Sequence, residues 1–332
     1  MKKLIVSFMA GAVLLLTPAL VSGHVKWFTE TEPVKEPIEE IISPFFIFAA
    51  LFTAVVLSVL PQILPRLMNV EPVRKLDKKL EAMRPYTFPI LRYGTAAALI
   101  IQVLTGGLFA PELAYETVLV PLLTWAAVGA LIIPHRFAVR IGAVIVLCLF
   151  LNKVFQYGIF HMLDYAFYLA VIFVLFMAGT KYEKWGFPLL YLVTGLSLCW
   201  VAVEKWVYPG MAEDIILSHG VPTFGFAADT FVSLSAFIEF VVGYLLVVGI
   251  LNRLLAFVLT GIFMMTTTLF GFVEIVGHFM IHIILVTFII EGVSFYKPPI
   301  SIHKTIIDQM VFVFLNFIFV LCTFLLIYYR FA

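Results

Sequence analysis

Glu274, His278 and His282 stand four residues apart within LFGFVEIVGHFMIHIILV (269–286), a stretch otherwise apolar enough to lie in hydrocarbon. On a helix, positions i, i+4 and i+8 project from one face in successive turns, so the three form a ladder. A charge at mid-bilayer costs about 2.5–3.5 kcal/mol even on lenient insertion scales, which makes an intramembrane ionisable residue a functional candidate. Three chemistries suit the ladder. Imidazole and carboxylate together ligate zinc, copper or iron, making Glu274, His278 and His282 candidate metal ligands. The same groups pass protons, because imidazole titrates near neutral pH. They also hydrogen-bond the carbonyls of a quinone, His278 or His282 holding the headgroup while Glu239 or Glu274 moves its proton. The bland alternative is interhelical polar glue, worth about 0.6–2 kcal/mol per contact.

Other ionisable residues extend the set. Glu239 is the lone charge in FVSLSAFIEFVVGYLL and is expected to face the ladder from a neighbouring helix; Glu204 and Lys205 lie near the end of VAVEKWVYP. The first half of the chain is poorer: it offers His161 and Asp164 in YGIFHMLDYAF, with Gln102 and the pair Gly106–Gly107 where the second half has charges. His161 and His278 would supply two axial ligands to a haem between helix bundles, against a structural hydrogen bond for His161.

These residues need membrane helices to position them. The chain of 332 residues is 63% hydrophobic and 12% charged, with mean hydropathy +1.10. Ordinary soluble domains carry about 25% charged residues, so the class is integral membrane protein. A net charge of +1 favours neither nucleic acid nor an acidic partner. Cys148, Cys199 and Cys322 lie in apolar runs and form no CxxC pair, which disfavours dithiol exchange.

Residues 1–23 have the basic start, apolar core and small residues of a signal peptide, with cleavage expected after Gly23. The mature chain would then begin at His24, whose α-amino and imidazole nitrogens suit copper, with a further ligand from His219 or the ladder. An exported acidic segment, 24–42, follows. Runs long enough to span fall at 43–65, 88–110, 117–134, 138–158, 160–179, 187–208, 230–250, 254–271, 272–293 and 306–329. With the N-terminus outside, each inner loop carries Lys or Arg (66–87, 135–140, 181–185, 252–253, 296–304), as the positive-inside rule requires. Basic segment 66–87 also suits contact with anionic membrane lipids.

The expected fold is therefore all-α: a polytopic membrane protein of about ten transmembrane helices. LRYGTAAALIIQVLTGGLFAP (91–111) aligns weakly with LLYLVTGLSLCWVAVEKWVYP (189–209), and each leads through three apolar runs to a small-residue and basic stop, MAGTKYEK or EGVSFYK. This internal repeat predicts two tandem four-helix bundles, 88–180 and 187–295, flanked by the single helices 43–65 and 306–329.

A bundle helix ending in the Glu204–Lys205 pair of VAVEKWVYP, followed by three more helices with polar positions, resembles the DoxX/DoxD family of small bacterial membrane proteins. The resemblance covers 187–295 and, more faintly, 88–180, where Gly106 and Gly107 depart from the pair. It implies a location in the bacterial inner membrane and a redox role linked to quinones, with Glu204 and Lys205 as functional positions and a redox partner or membrane complex as associates. Catalytic roles would fall to Glu239, Glu274, Glu204 and Lys205, cofactor contacts to His278, His282 and His161, and metal ligation to His278, His282, Glu274 and His24. The functional expectation is a redox-linked membrane protein binding a quinone or a transition metal. The alternatives are a metal-ion or proton-coupled transporter and a non-catalytic anchor subunit.

Overall fold

The computed structural model describes residues 25–29, 31–68, 71–292 and 305–332. Residues 1–23, expected to be a signal peptide, and His24 lie outside the described residues. Fourteen α-helices are described: α1 (Ile38–Ile41), α2 (Pro44–Met68), α3 (Glu71–Glu81), α4 (Thr87–Thr105), α5 (Leu119–Ile132), α6 (Arg136–Tyr157), α7 (Ile159–Met162), α8 (Phe167–Met177), α9 (Gly186–Val207), α10 (Pro209–Ser218), α11 (Ala228–Val248), α12 (Asn252–Phe270), α13 (Phe272–Glu291) and α14 (Ile306–Phe331). Among the described residues eight helical stretches are long and apolar enough to cross a membrane. The protein is a polytopic helical membrane protein. Hydrocarbon offers no partner to backbone N–H and C=O groups, so such runs satisfy them within helices.

All ten expected stretches contain helix, but three depart from a simple span. The run 160–179 is broken: Ile159–Tyr165 and Phe167–Met177 meet at 66°. Helix α5 has only 14 residues, about 21 Å at 1.5 Å per residue, shorter than a hydrocarbon core of about 30 Å. The run 88–110 stops at Thr105, where Gly106 adopts φ 85 and the chain turns into an antiparallel hairpin of β1 (Gly107–Leu108) and β2 (Ala110–Ala114). Gly106 enters the left-handed region without steric penalty and ends the helix there. Within the turn Phe109 also holds a positive φ of 70, and its ring packs on Phe150 and Tyr168.

The chain forms two compact units, and they do not follow the expected tandem bundles. One, here the ladder unit, comprises Leu80–Leu198 and Leu245–Tyr296; the other, the terminal unit, takes the described residues of Met1–Lys79, Cys199–Tyr244 and Lys297–Ala332. In the ladder unit α4 packs against α5 and α13, α6 against α5 and α8, α12 against α13, and β2 against α13. The last two helices of the supposed second bundle thus join helices of the first. The reason is local: Gly94 presents no side chain where a Cβ would overlap Ile283, so α4 and α13 approach closely. Gly94→Leu is expected to force these helices apart and cost about 1–3 kcal/mol by overpacking, read as a lower melting temperature in detergent.

The helix ends that lead into the two stops of the repeat are capped alike by arginines of the inner loops 135–140 and 252–253. Arg140 donates to the Phe176 and Ala178 carbonyls, both at 3.1 Å, and Arg253 donates to Ile289 at 2.7 Å and Ile290 at 3.0 Å. Each guanidinium neutralises carbonyls that the end of a helix leaves without intrahelical donors. Beyond them Gly179 (φ 71) and Gly292 (φ 73) leave room for Arg136 and Arg253 respectively.

In the terminal unit α2 packs on α14, with Gln62 Nε2 donating to Gln309 Oε1 at 2.9 Å. Phe46, Trp206 and Phe237 form an aromatic cluster with centroids 4.7–5.1 Å apart. The turn Val25–Trp27 packs on α10. Thr29 Oγ1 donates to Asp214 at 2.7 Å and the Glu36 amide to the Val207 carbonyl at 2.9 Å, securing the acidic segment.

Candidate functional site

Gly271, with φ 71, separates α12 from α13 and lets the chain reverse. The helical repeat of α13 then stacks Glu274, His278 and His282 along one face. Glu274 is fully buried and His278 is 4% exposed, while His282 is half-buried. His278 Nδ1 lies 2.9 Å from Glu274 Oε1, at an angle too oblique to count as an aligned hydrogen bond. The two groups are within hydrogen-bond reach of one another. Glu274 Oε2 and His282 Nδ1 are buried atoms without hydrogen-bond partners.

Phe263 of α12 joins the two imidazoles. Its ring stacks on His278 at 4.5 Å with an interplanar angle of 24°, and meets His282 edge-on at 5.9 Å and 79°. The ladder therefore has a polar edge and an aromatic wall. Among the described residues, no group of three or more His, Cys, Asp or Glu side chains could hold a metal ion. The ladder supplies proton donors and acceptors in series, not a gathered ligand set.

Several other sequence-predicted residues have contacts of their own. His161 belongs to the ladder unit, but its Nε2 is 3.1 Å from Glu112 Oε1 and its ring stacks with Tyr157 at 5.6 Å. The hydrogen-bonding alternative to a haem ligand describes this contact. Glu239, expected to turn toward the ladder, has its own counter-ion in Lys205 within the terminal unit. Adjacent Glu204, 1% exposed, pairs with Lys26 at 3.2 Å. The Glu204–Lys205 motif is thus two ion pairs made with different elements. Cys199 is buried with its thiol on the Phe240 carbonyl at 3.5 Å. His219 hydrogen-bonds Ser218 at 2.9 Å and meets Phe28 edge-on.

A second polar cluster surrounds the hairpin. Glu112 Oε1 accepts from Tyr165 at 2.6 Å in addition to its His161 contact. Buried Lys153 donates to the Ala114 carbonyl at 2.6 Å. Gln102, fully buried, accepts from the Phe109 amide at 2.9 Å and donates to Tyr168 at 2.8 Å. Sequence patterning picks out Gln102 and His161 but not their partners Glu112, Tyr165 and Tyr168; the available signal was a Gly–Gly pair and a Pro interrupting an otherwise apolar run.

Outside the spans, electrostatics are shaped by burial and like charges. Burial raises the Tyr115 hydroxyl to about 12. Burial, then Asp229, raises the Glu213 carboxyl, and a hydrogen bond with Glu40 is the main cause raising Glu36.

Compared with protein-family models, curated proteins and solved structures, the chain matches none of them.

Proposed function

We propose that the protein is a membrane proton transporter and that Glu274, His278 and His282 carry its protons. The single observation behind this reading is a buried carboxylate 2.9 Å from a buried imidazole, with a second imidazole one turn further along the same face. Such a pair holds one proton without leaving net charge in hydrocarbon: either both groups are neutral, or they form an ion pair. That avoids the cost of an isolated charge at the bilayer centre. The next step, to His282, covers one turn of about 6 Å and requires a bridging water.

The redox reading has less support. A metal centre lacks a three-ligand group among the described residues, and Phe263 stacks on one face of the His278 ring, leaving less room for a quinone headgroup beside it. In the transporter reading the hairpin end faces outward, as the basic loops expect, and the acidic segment gathers cations there.

The test uses purified protein in liposomes containing a pH-sensitive dye, with a potassium diffusion potential driving protons inward. Wild-type protein is expected to acidify the lumen faster than protein-free liposomes, and His282→Phe to slow this by about tenfold or more. Equal rates in wild-type and protein-free liposomes would overturn the reading.

A further inference from the structure

The polar cluster around the hairpin and the ladder share one unit, and three contacts set their relative level. Helices α4 and α13 run antiparallel: Arg84 donates to the Glu291 carbonyl at one end, and Gly94 abuts Ile283 further along. Continuing that step at 1.5 Å per residue on each helix brings Gln102 to the level of Ile275, within one residue of Glu274. The hairpin begins directly after α4, and β2 packs against α13.

Open hydrogen-bonding positions occur along this line. Both Tyr165 and His161 contact Glu112 Oε1, while Oε2 of the same carboxylate is buried and has no hydrogen-bond partner. The Phe109 amide fixes Gln102 Oε1 as the acceptor, so the Gln102 amide donates to Tyr168. Tyr168 is fully buried and, accepting that bond, keeps its hydroxyl hydrogen to give. Glu274 Oε2, near the level of Gln102, is again a buried acceptor without a hydrogen-bond partner. Carboxylate, phenol, carboxylate and imidazole groups with open positions thus share one unit, toward the hairpin end of α4 and α13.

We propose that Glu112, His161 and Tyr165 form the proton-entry port of the ladder, and that Tyr168 hands protons on toward Glu274. This rests on the proton-transfer reading of the ladder. His161 and Glu112 exchange a proton with the medium, as their partial exposure of 26% and 17% allows; water bridges Tyr168 to the carboxylates on either side, and each proton accepted by Tyr168 is matched by one released. The charged and titratable neighbours of the port are Glu116, held by Gln156 at 2.8 Å, Lys153, Asp164 and Tyr157. Lys153 is committed to the Ala114 carbonyl, leaving Glu112 and His161 as the exchanging pair.

The same liposome assay tests the port with Glu112→Gln and Tyr168→Phe, each checked by its melting curve. Both are expected to slow acidification by about tenfold or more, with Tyr168→Phe still melting in one cooperative transition, at a temperature lowered by the unpaired Gln102 amide. Wild-type rates in both variants, while His282→Phe still blocks flux, would overturn the port and leave the ladder reading standing. Absence of flux in wild-type protein would overturn the ladder reading and the port together. Should Glu112→Gln fail to fold, Tyr168→Phe alone decides: a wild-type rate overturns the proposed path, and a slowed rate supports it.

Discussion

Lys205→Met is expected to destabilise the folded protein by about 3 kcal/mol, the lower part of the range for breaking a buried ion pair. Lys205 is 1% exposed and its ammonium is bound by Glu239, whose side chain retains 19% exposure. Methionine keeps most of the length and packing of the lysine stem. The loss is therefore mainly electrostatic: Glu239 remains partly buried in an apolar helix without its counter-ion. Residual exposure of Glu239 moderates the cost. The double variant Lys205→Met/Glu239→Leu is expected to recover most of the stability, because replacing a whole buried pair by apolar groups is close to neutral. Melting temperature in detergent reads both. A single variant as stable as wild type would show that the pair contributes nothing to the terminal unit.

His278→Phe is expected to slow proton transfer by about 100-fold or more, the loss typical of removing a positioned acid–base group. Phenylalanine can occupy the site: the imidazole already stacks on Phe263 at 4.5 Å, and a phenyl ring can form an offset aromatic pair there. Glu274 loses the nitrogen 2.9 Å from its carboxylate, and the path to His282 is broken for more than one turn. Liposome acidification measures the effect, with a melting curve to show that the variant folds. A rate within twofold of wild type would remove His278 from the path.

The spans and the ladder were legible in the sequence because both depend on local pattern. Apolar runs satisfy their backbone groups as helices whatever surrounds them, and i, i+4, i+8 spacing fixes one face without tertiary knowledge. The inner-loop arginines were also legible, and two of them, Arg140 and Arg253, cap the ends of helices α8 and α13. Long-range pairing was not. Leu108 and Phe109 are apolar enough to extend the run 88–110, yet Gly106 ends the helix and turns it into a hairpin. Glu112 read as an ordinary loop charge until the hairpin brought it to His161 and Tyr165. The neighbours Glu204 and Lys205 looked like one motif, but Lys26 and Glu239 divide them into two ion pairs. The bounds of the compact units were hidden for a similar reason: sequence order suggested consecutive bundles, whereas the close approach of Gly94 to Ile283 joins α13 to α4.

Proton exchange on the ladder itself is most directly measured by infrared difference spectroscopy across a pH jump, using reconstituted wild-type protein and Glu274→Gln. The proton-transfer account predicts a carboxyl C=O band that changes together with imidazole bands in wild-type protein, disappears in Glu274→Gln, and is altered in His278→Phe. Identical difference spectra in wild-type protein and Glu274→Gln would contradict it, leaving Glu274 and His278 as a fixed polar contact within α13.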